Sequence, residues 1–290
     1  TNSLDINEID KILEGKTSLS KNTLFKQKNN LIERNDLSFF GSYREKTKNG
    51  SLGEILVNSA YGVNFDVKKI EIMPNFNITK DLSLGYGRYE SISSDDQNIL
   101  LSNNRLNLSL KQRNEYLIWK PKIETNLTKE YKYSPNIIAQ GFYWIVEGNL
   151  DFFRYEEGSK QDLFLIKSGP KITLGEFKKS FFDYTELSIY PRFKFNNGKS
   201  PFVFDQVVDN KVIEFSLKQR IYKPIAIKFS GELNLENDLL NDNKFINPVI
   251  EISWNRRAYN FSLNYNFDTE VGGLNFNIFS FNFDGLGEKF

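Results

Sequence analysis

From Leu37 onward, apolar and polar residues alternate with period two through most of the chain. Ile55, Val57, Ser59, Tyr61, Val63, Phe65 and Val67 are interleaved with Leu56, Asn58, Ala60, Gly62, Asn64 and Asp66. The same pattern runs through Thr185, Leu187, Ile189, Pro191, Phe193 and Phe195, through Ile225, Ile227, Phe229, Gly231, Leu233 and Leu235, and through Tyr259, Phe261, Leu263, Tyr265 and Phe267. Successive side chains of a strand point to opposite faces, so each segment is a strand with one apolar and one polar face. The pattern predicts fifteen strands: 37–44, 52–66, 70–79, 82–89, 99–111, 115–126, 137–146, 149–155, 162–174, 184–195, 212–221, 225–235, 249–256, 258–267 and 274–283. Many run beyond the roughly 5–6 residues of a soluble strand and match the roughly 9–11 that cross a bilayer.

The connections add a second signal. Long ones (90–98, 127–136, 196–211, 236–248, 268–273) alternate with short ones (80–81, 112–114, 222–224 and Arg256-Arg257), apart from Val67-Lys68-Lys69 and 175–183. Outer-membrane barrels have short periplasmic turns and longer external loops. The expected fold is therefore all-β, an antiparallel transmembrane β-barrel of about 14–16 strands. An odd count would start the first strand outside the cell, so either one strand is misassigned or another precedes this chain. Residues 1–36 stand apart from the predicted barrel domain, 37–290. Ile6, Ile9 and Leu13 follow Asp5 at helical spacing, Gly15 follows as a stop, and Lys16 to Asn30 is polar. This reads as a short helix and linker, or as a segment that docks on a partner or plugs the barrel.

Composition narrows the chemistry. Four alanines against 34 asparagines, with 15% aromatic residues, lean toward strands. The chain has no His and no Cys. That excludes imidazole triads, thiol nucleophiles, disulfides, His–Cys zinc sites and Fe–S clusters. Gly85-Tyr86-Gly87 lies within a strand and lacks the context of a phosphate loop. The chain reads as a non-enzyme without a cofactor. A net charge of +1 favours no nucleic acid.

The polar faces carry the candidate site. Under the loop assignment Lys218, Arg220, Lys228 and Arg257 lie toward the periplasmic end, a basic mouth suited to an anionic amphiphile. Glu214, Glu232 and Glu251 lie nearer the middle or outer end, while Lys194 near the outer rim breaks the trend. The alternative is a set of cross-strand Glu–Lys ladders that fill the interior with paired charge. Asp205 and Asp209, in the 196–211 loop, read as a structured turn or as metal ligands. Pro74, Pro121, Pro170 and Pro191 interrupt strands, either as bulges and strand ends or as a weakened seam.

Several motifs resemble the cyanobacterial branch of the LptD-like (organic-solvent-tolerance) outer-membrane proteins, which assemble lipopolysaccharide at the cell surface. They are Asn49-Gly50-Ser51-Leu52-Gly53, Phe181-Phe182-Asp183-Tyr184-Thr185, Ser200-Pro201-Phe202-Val203-Phe204-Asp205, and Val208-Asp209-Asn210. Gln219-Arg220-Ile221-Tyr222-Lys223-Pro224, Trp254-Asn255-Arg256-Arg257-Ala258-Tyr259 and the closing Phe281-Asn282-Phe283 with Gly285 and Phe290 complete the likeness. It spans roughly 40–290 and is most specific over 181–290. The resemblance implies a barrel in the outer membrane that receives lipopolysaccharide or another anionic glycolipid from a periplasmic bridge protein, with a lipoprotein plugging the lumen. The sugar would pass through the lumen and the acyl chains would leave between the first and last strands into outer-membrane lipid. That family carries a β-jellyroll domain before its barrel and uses disulfides. This chain has neither the length for the first nor the cysteines for the second, so it reads as the barrel portion of a longer protein. A passive porin-like channel and a secreted glycan-binding β-sandwich are the competing readings.

Overall fold

The computed structural model describes residues 15–28, 31–73, 75–121, 140–175, 181–236, 244–256 and 258–278. Among the described residues, thirteen strands form one sheet in which every strand pairs antiparallel with the next in sequence. They are β1 (Gly15–Lys28), β2 (Leu31–Lys48), β3 (Glu54–Met73), β4 (Phe76–Ile92), β5 (Leu100–Trp119), β6 (Gly141–Tyr155) and β7 (Lys160–Leu174). β8 (Thr185–Gly198), β9 (Lys211–Tyr222), β10 (Ile225–Asn234), β11 (Phe245–Asn255), β12 (Tyr259–Asn266) and β13 (Val271–Ile278) follow. Single 3-10 turns lie at Gly50–Leu52 and Val203–Asp205. No helix among the described residues is long and apolar enough to cross a membrane.

The strand count corrects the sequence expectation in specific places. Predicted turns at 67–69, 80–81 and 112–114 fall inside β3, β4 and β5, which continue through their polar residues. The pairs Lys68↔Asp81, Lys80↔Gln112 and Asp81↔Lys111 show why: each polar residue has a cross-strand partner. Predicted strands 137–146 and 149–155 are one strand, β6. The polar stretch 16–28 is not a linker but β1, held to β2 from Gly15↔Tyr43 to Lys28↔Leu31. The predicted helix over 6–13 lies outside the described residues.

With the strands merged, the connections sort onto two ends. One end, here the loop end, carries 49–53, 93–99, 156–159, 199–210, 235–244 and 267–270. The other, the turn end, carries 29–30, 74–75, 120–140, 175–184, 223–224 and 256–258. The long connection expected at 127–136 lies outside the described residues. β1 and β13 both run from the loop end to the turn end, and the described residues show no pairing between them.

The sheet is strongly curled. Spread flat, β2 and β11 would lie nine spacings of about 4.8 Å apart, some ~43 Å. Yet the Gly50–Leu52 turn between β2 and β3 comes within 8 Å, Cα to Cα, of β11. Curling buries the polar face: Ser91, Gln161, Arg220 and Ser253 are at most 1% exposed. The apolar face points outward, with Phe65, Leu84, Phe164, Phe193, Phe229, Leu263 and Phe276 all exposed. One segment departs from the simple alternation. The β3–β4 register shifts between Val57 and Ser59, so Asn58 is an extra residue. A one-residue bulge reverses the faces beyond it. Ile55 and Val57 therefore point inward and are buried, whereas Tyr61 and Phe65 point outward.

Candidate functional site: the polar interior

The inward face is organised in tiers. Nearest the loop end, the 199–210 connection folds over the interior. Its Phe202 is fully buried against Tyr89, Tyr155 and Phe204, with ring centroids 6.5, 6.1 and 5.0 Å away. Arg105 Nη1 donates to both Asp205 carboxylate oxygens at 2.5 and 2.6 Å. The Arg105 guanidinium also lies over Tyr89 at 4.5 Å and near Phe153 and Phe204. Tyr155 Oη donates to Asp205 at 3.0 Å, and Gln161 Nε2 donates to the Asp205 carbonyl at 2.9 Å. At the far side Asp209, 3% exposed, accepts from the Ser51 backbone N–H and from Asn234 Nδ2, both at 2.8 Å. Asn49 Nδ2 donates to the carbonyls of Val203 and Gln206. Gly50, at φ 51°, has no room for a side chain, because a Cβ there would sit 1.9 Å from Asp209 Oδ2. The residues 49–53 and 200–210, distant in sequence, thus meet as hairpin and roof.

Asp205 and Asp209 are accordingly a structured turn. Each accepts hydrogen bonds from protein donors at both carboxylate oxygens, and they bind different partners. Among the described residues, no group of three or more acidic side chains is placed to hold a metal ion.

Below the roof runs a chain of ion pairs. Lys111 (3.1 Å) and Arg113 (3.4 Å) of β5 reach Glu147 of β6. Lys167 of β7 bridges Glu147 (3.5 Å) and Glu214 of β9 (3.2 Å). Arg192 of β8 then joins Glu214 (2.8 Å) to Glu232 of β10 (2.7 Å). Glu214 and Glu232 thus lie on the inward face of the sheet, each paired with a cation. Lys111, Arg113, Glu147, Lys167 and Arg192 complete the belt and were not singled out in the sequence. Their only sequence signal is position on a polar face, since the pairing depends on register.

Nearer the turn end, Lys218 and Lys228 face each other directly across β9 and β10. Glu186 lies opposite Lys218 and Glu251 opposite Lys228. No carboxylate among the described residues lies within 4.0 Å of either ammonium. Arg220 is a different case: it is fully buried, its Nε donates to the Lys223 carbonyl and its Nη1 lies 3.7 Å from Asp183. It fastens the 181–184 segment to the 223–224 turn rather than presenting charge to a ligand. Arg257 lies outside the described residues. Lys194, also paired locally, donates to the Val208 carbonyl at 2.7 Å.

Of the expected proline sites, Pro170 and Pro191 fall in one place. The β7–β8 ladder runs from Gln161↔Gly198 to Lys167↔Arg192, stops, and resumes in the same register at Lys171↔Ser188. Proline has no N–H to donate, so the rungs at Ser168–Pro170 and Ile189–Pro191 are lost without a bulge. The backbones still touch: a Cβ on Gly169 would lie 2.1 Å from the Ile189 carbonyl oxygen. Pro121 follows β5, and Pro74 lies outside the described residues.

On the outer face, exposed Phe39, Tyr43, Tyr61 and Tyr86 lie toward the loop end, and Tyr116, Trp119 and Trp144 toward the turn end. Leu84 and Leu110 lie between them, and Leu106 lies level with its cross-strand partner Tyr86.

No curated protein and no solved structure matches this chain. The model of a family described as proteins of unknown function, DUF3769, matches residues 1–282. By that match the chain belongs to the DUF3769 family.

Proposed function

We propose that the chain forms an outer-membrane β-barrel that moves lipopolysaccharide, or a similar anionic glycolipid, into the outer leaflet, with the sugar in the polar interior and the acyl chains leaving between β1 and β13. The observation that carries this reading is the inverted distribution of polarity. Leu263, Leu274, Phe276 and Ile278 are 48%, 68%, 61% and 65% exposed, while Ser253 and Ser262 behind them are 1% and 3% exposed. In water such a continuous apolar exterior is a strong liability. In a bilayer it is the expected solvent-facing surface, flanked by aromatic girdles at both interfaces. The lateral route rests on the two terminal strands, whose edges lack a partner among the described residues.

A second reading is favoured by a different observation. The 199–210 connection folds over the interior, as a constricting loop does in a passive channel for small solutes. One experiment separates the two. Cysteines at Leu19 in β1 and Leu274 in β13 are joined by a flexible bifunctional reagent, and the protein is reconstituted with a lipopolysaccharide donor. The transporter reading expects glycolipid transfer to fall at least about tenfold while small-solute conductance persists. Undiminished transfer after crosslinking, or conductance without any transfer, would reject it in favour of the channel.

A further inference from the structure

The interior is not uniform. Facing inward from β11, β12 and β13 are Glu251, Ser253, Asn255, Asn260, Ser262, Asn264, Asn266, Asn275 and Asn277, with a single charge among them. Some of these amides have protein partners. Asn255 Nδ2 donates to Ser253 Oγ at 2.9 Å, Asn260 Nδ2 donates to Asn255 Oδ1 at 2.8 Å, and Asn266 Oδ1 accepts the Asp268 N–H at 2.9 Å. Asn264, Asn275 and Asn277 make no side-chain hydrogen bond to any described residue, and Asn275 and Asn277 are exposed. Asn264 lies against Gly273, where a Cβ would sit 2.6 Å from its Oδ1. That glycine makes room for the amide beside the edge strand. Asn275 pairs in register with Ser262, and Asn277 with Asn260.

We propose that Asn264, Asn275 and Asn277 form a binding track for a neutral, hydroxyl-rich glycan, running along the interior beside the β13 edge. Each carboxamide offers two donors and an acceptor, the complement of a sugar hydroxyl, which both donates and accepts. Residues two apart on a strand are about 6.6 Å apart, so Asn275 and Asn277 can engage neighbouring parts of one saccharide chain. The surroundings suit an uncharged ligand. The acids and bases of β5–β10 are mostly paired, as are Arg34 with Asp36 and Lys68 with Asp81 on β2–β4, so they neither attract nor repel a neutral sugar. Adjacent to an edge without a partner among the described residues, the track would hold the sugar of a glycolipid while its chains meet lipid. This assignment rests on the proposed role of the interior as the route for a glycolipid's sugar.

The test is calorimetric titration of the full chain in detergent micelles with maltohexaose, a neutral saccharide probe. The expected result is measurable binding that weakens about tenfold or more when all three are changed (Asn264→Ala, Asn275→Ala, Asn277→Ala), since each lost hydrogen bond accounts for a several-fold change. The exposed single variants Asn275→Ala and Asn277→Ala, which leave the strand register untouched, are each expected to weaken it by a smaller factor. Arg192→Lys, on the opposite wall, is expected to leave it unchanged. No binding by the parent chain, or equal binding by parent and triple variant, overturns the assignment. The crosslinking and transfer experiment reads the glycolipid route separately. Saccharide binding with no transfer would sink the transport reading and leave the track standing.

Discussion

Two walls of the same sheet solve the problem of a polar interior in opposite ways. The β5–β10 wall is ionic: Lys111, Arg113, Glu147, Lys167, Glu214, Arg192 and Glu232 form one continuous chain of contacts of 3.5 Å or less. The β11–β13 wall is built from amides and hydroxyls, with Glu251 alone carrying charge. Strand length differs too. β5 runs for 20 residues and β6 and β7 for 15, whereas β12 and β13 run for 8. A charged group taken from water is costly unless partnered, so the ionic wall must be locked into fixed geometry. Amides are cheaper to leave open, so the other wall can present unused hydrogen-bonding groups. On the reading proposed above, the ionic wall is scaffold and the amide wall is the surface a glycan would meet.

That contrast makes predictions of graded size. The largest effect is expected from Arg192→Ala, which strands Glu232 and leaves Glu214 with Lys167 alone. A loss of about 2–4 kcal/mol should appear as a lower midpoint in thermal or urea unfolding in detergent; an unchanged midpoint would mean that the belt is ornamental. Next comes Arg105→Ala, which removes the clamp on Asp205 and its contacts with Tyr89 and Phe204. It should cost about 2 kcal/mol and, more diagnostically, should speed hydrogen exchange across 200–209 while sparing β9 and β10. Gly169→Ala should cost about 1–3 kcal/mol, because its methyl group meets the Ile189 backbone at the proline gap. Full stability in that variant would show that the strands there are already apart. The smallest effect is expected on the amide wall. Asn275→Ala should move stability by no more than about 0.5 kcal/mol, and a larger loss would place that residue among the scaffold.

The outer face was largely legible in the sequence, and the interior was not. Thr185 to Phe195 and Tyr259 to Phe267 read directly as alternating strands, because one face of each touches a single kind of solvent. Reading failed where a partner elsewhere overrides the local signal. Lys80-Asp81 and Gln112-Arg113-Asn114 look like turns, but their cross-strand partners keep the strands going. The polar β1 has few apolar residues to announce it and is defined by its ladder to β2. Asn58 carries no mark of a bulge, yet it turns Ile55 and Val57 inward. The ionic belt depends on register, so contacts such as Arg192 to Glu232, forty residues apart, have no sequence signature. Asp205 and Asp209 could be placed in a loop but not assigned their partners. The expected basic mouth divides in the structure: Lys218 and Lys228 face each other, while Arg220 is a buried strut.

The central claim is that the apolar face meets lipid and the polar face meets water. The most direct test is site-directed spin labelling of single cysteines placed one at a time along 259–267, in detergent and in lipid bilayers, in a chain that has no other thiol. The account predicts period-two accessibility, with labels at Phe261, Leu263 and Tyr265 reached by oxygen from the bilayer and labels at Ser262 and Asn264 reached by a water-soluble quencher. If labels at Phe261, Leu263 and Tyr265 are instead shielded from both probes, those side chains lie in a dry protein core, and the membrane reading and the transport role built on it both fail.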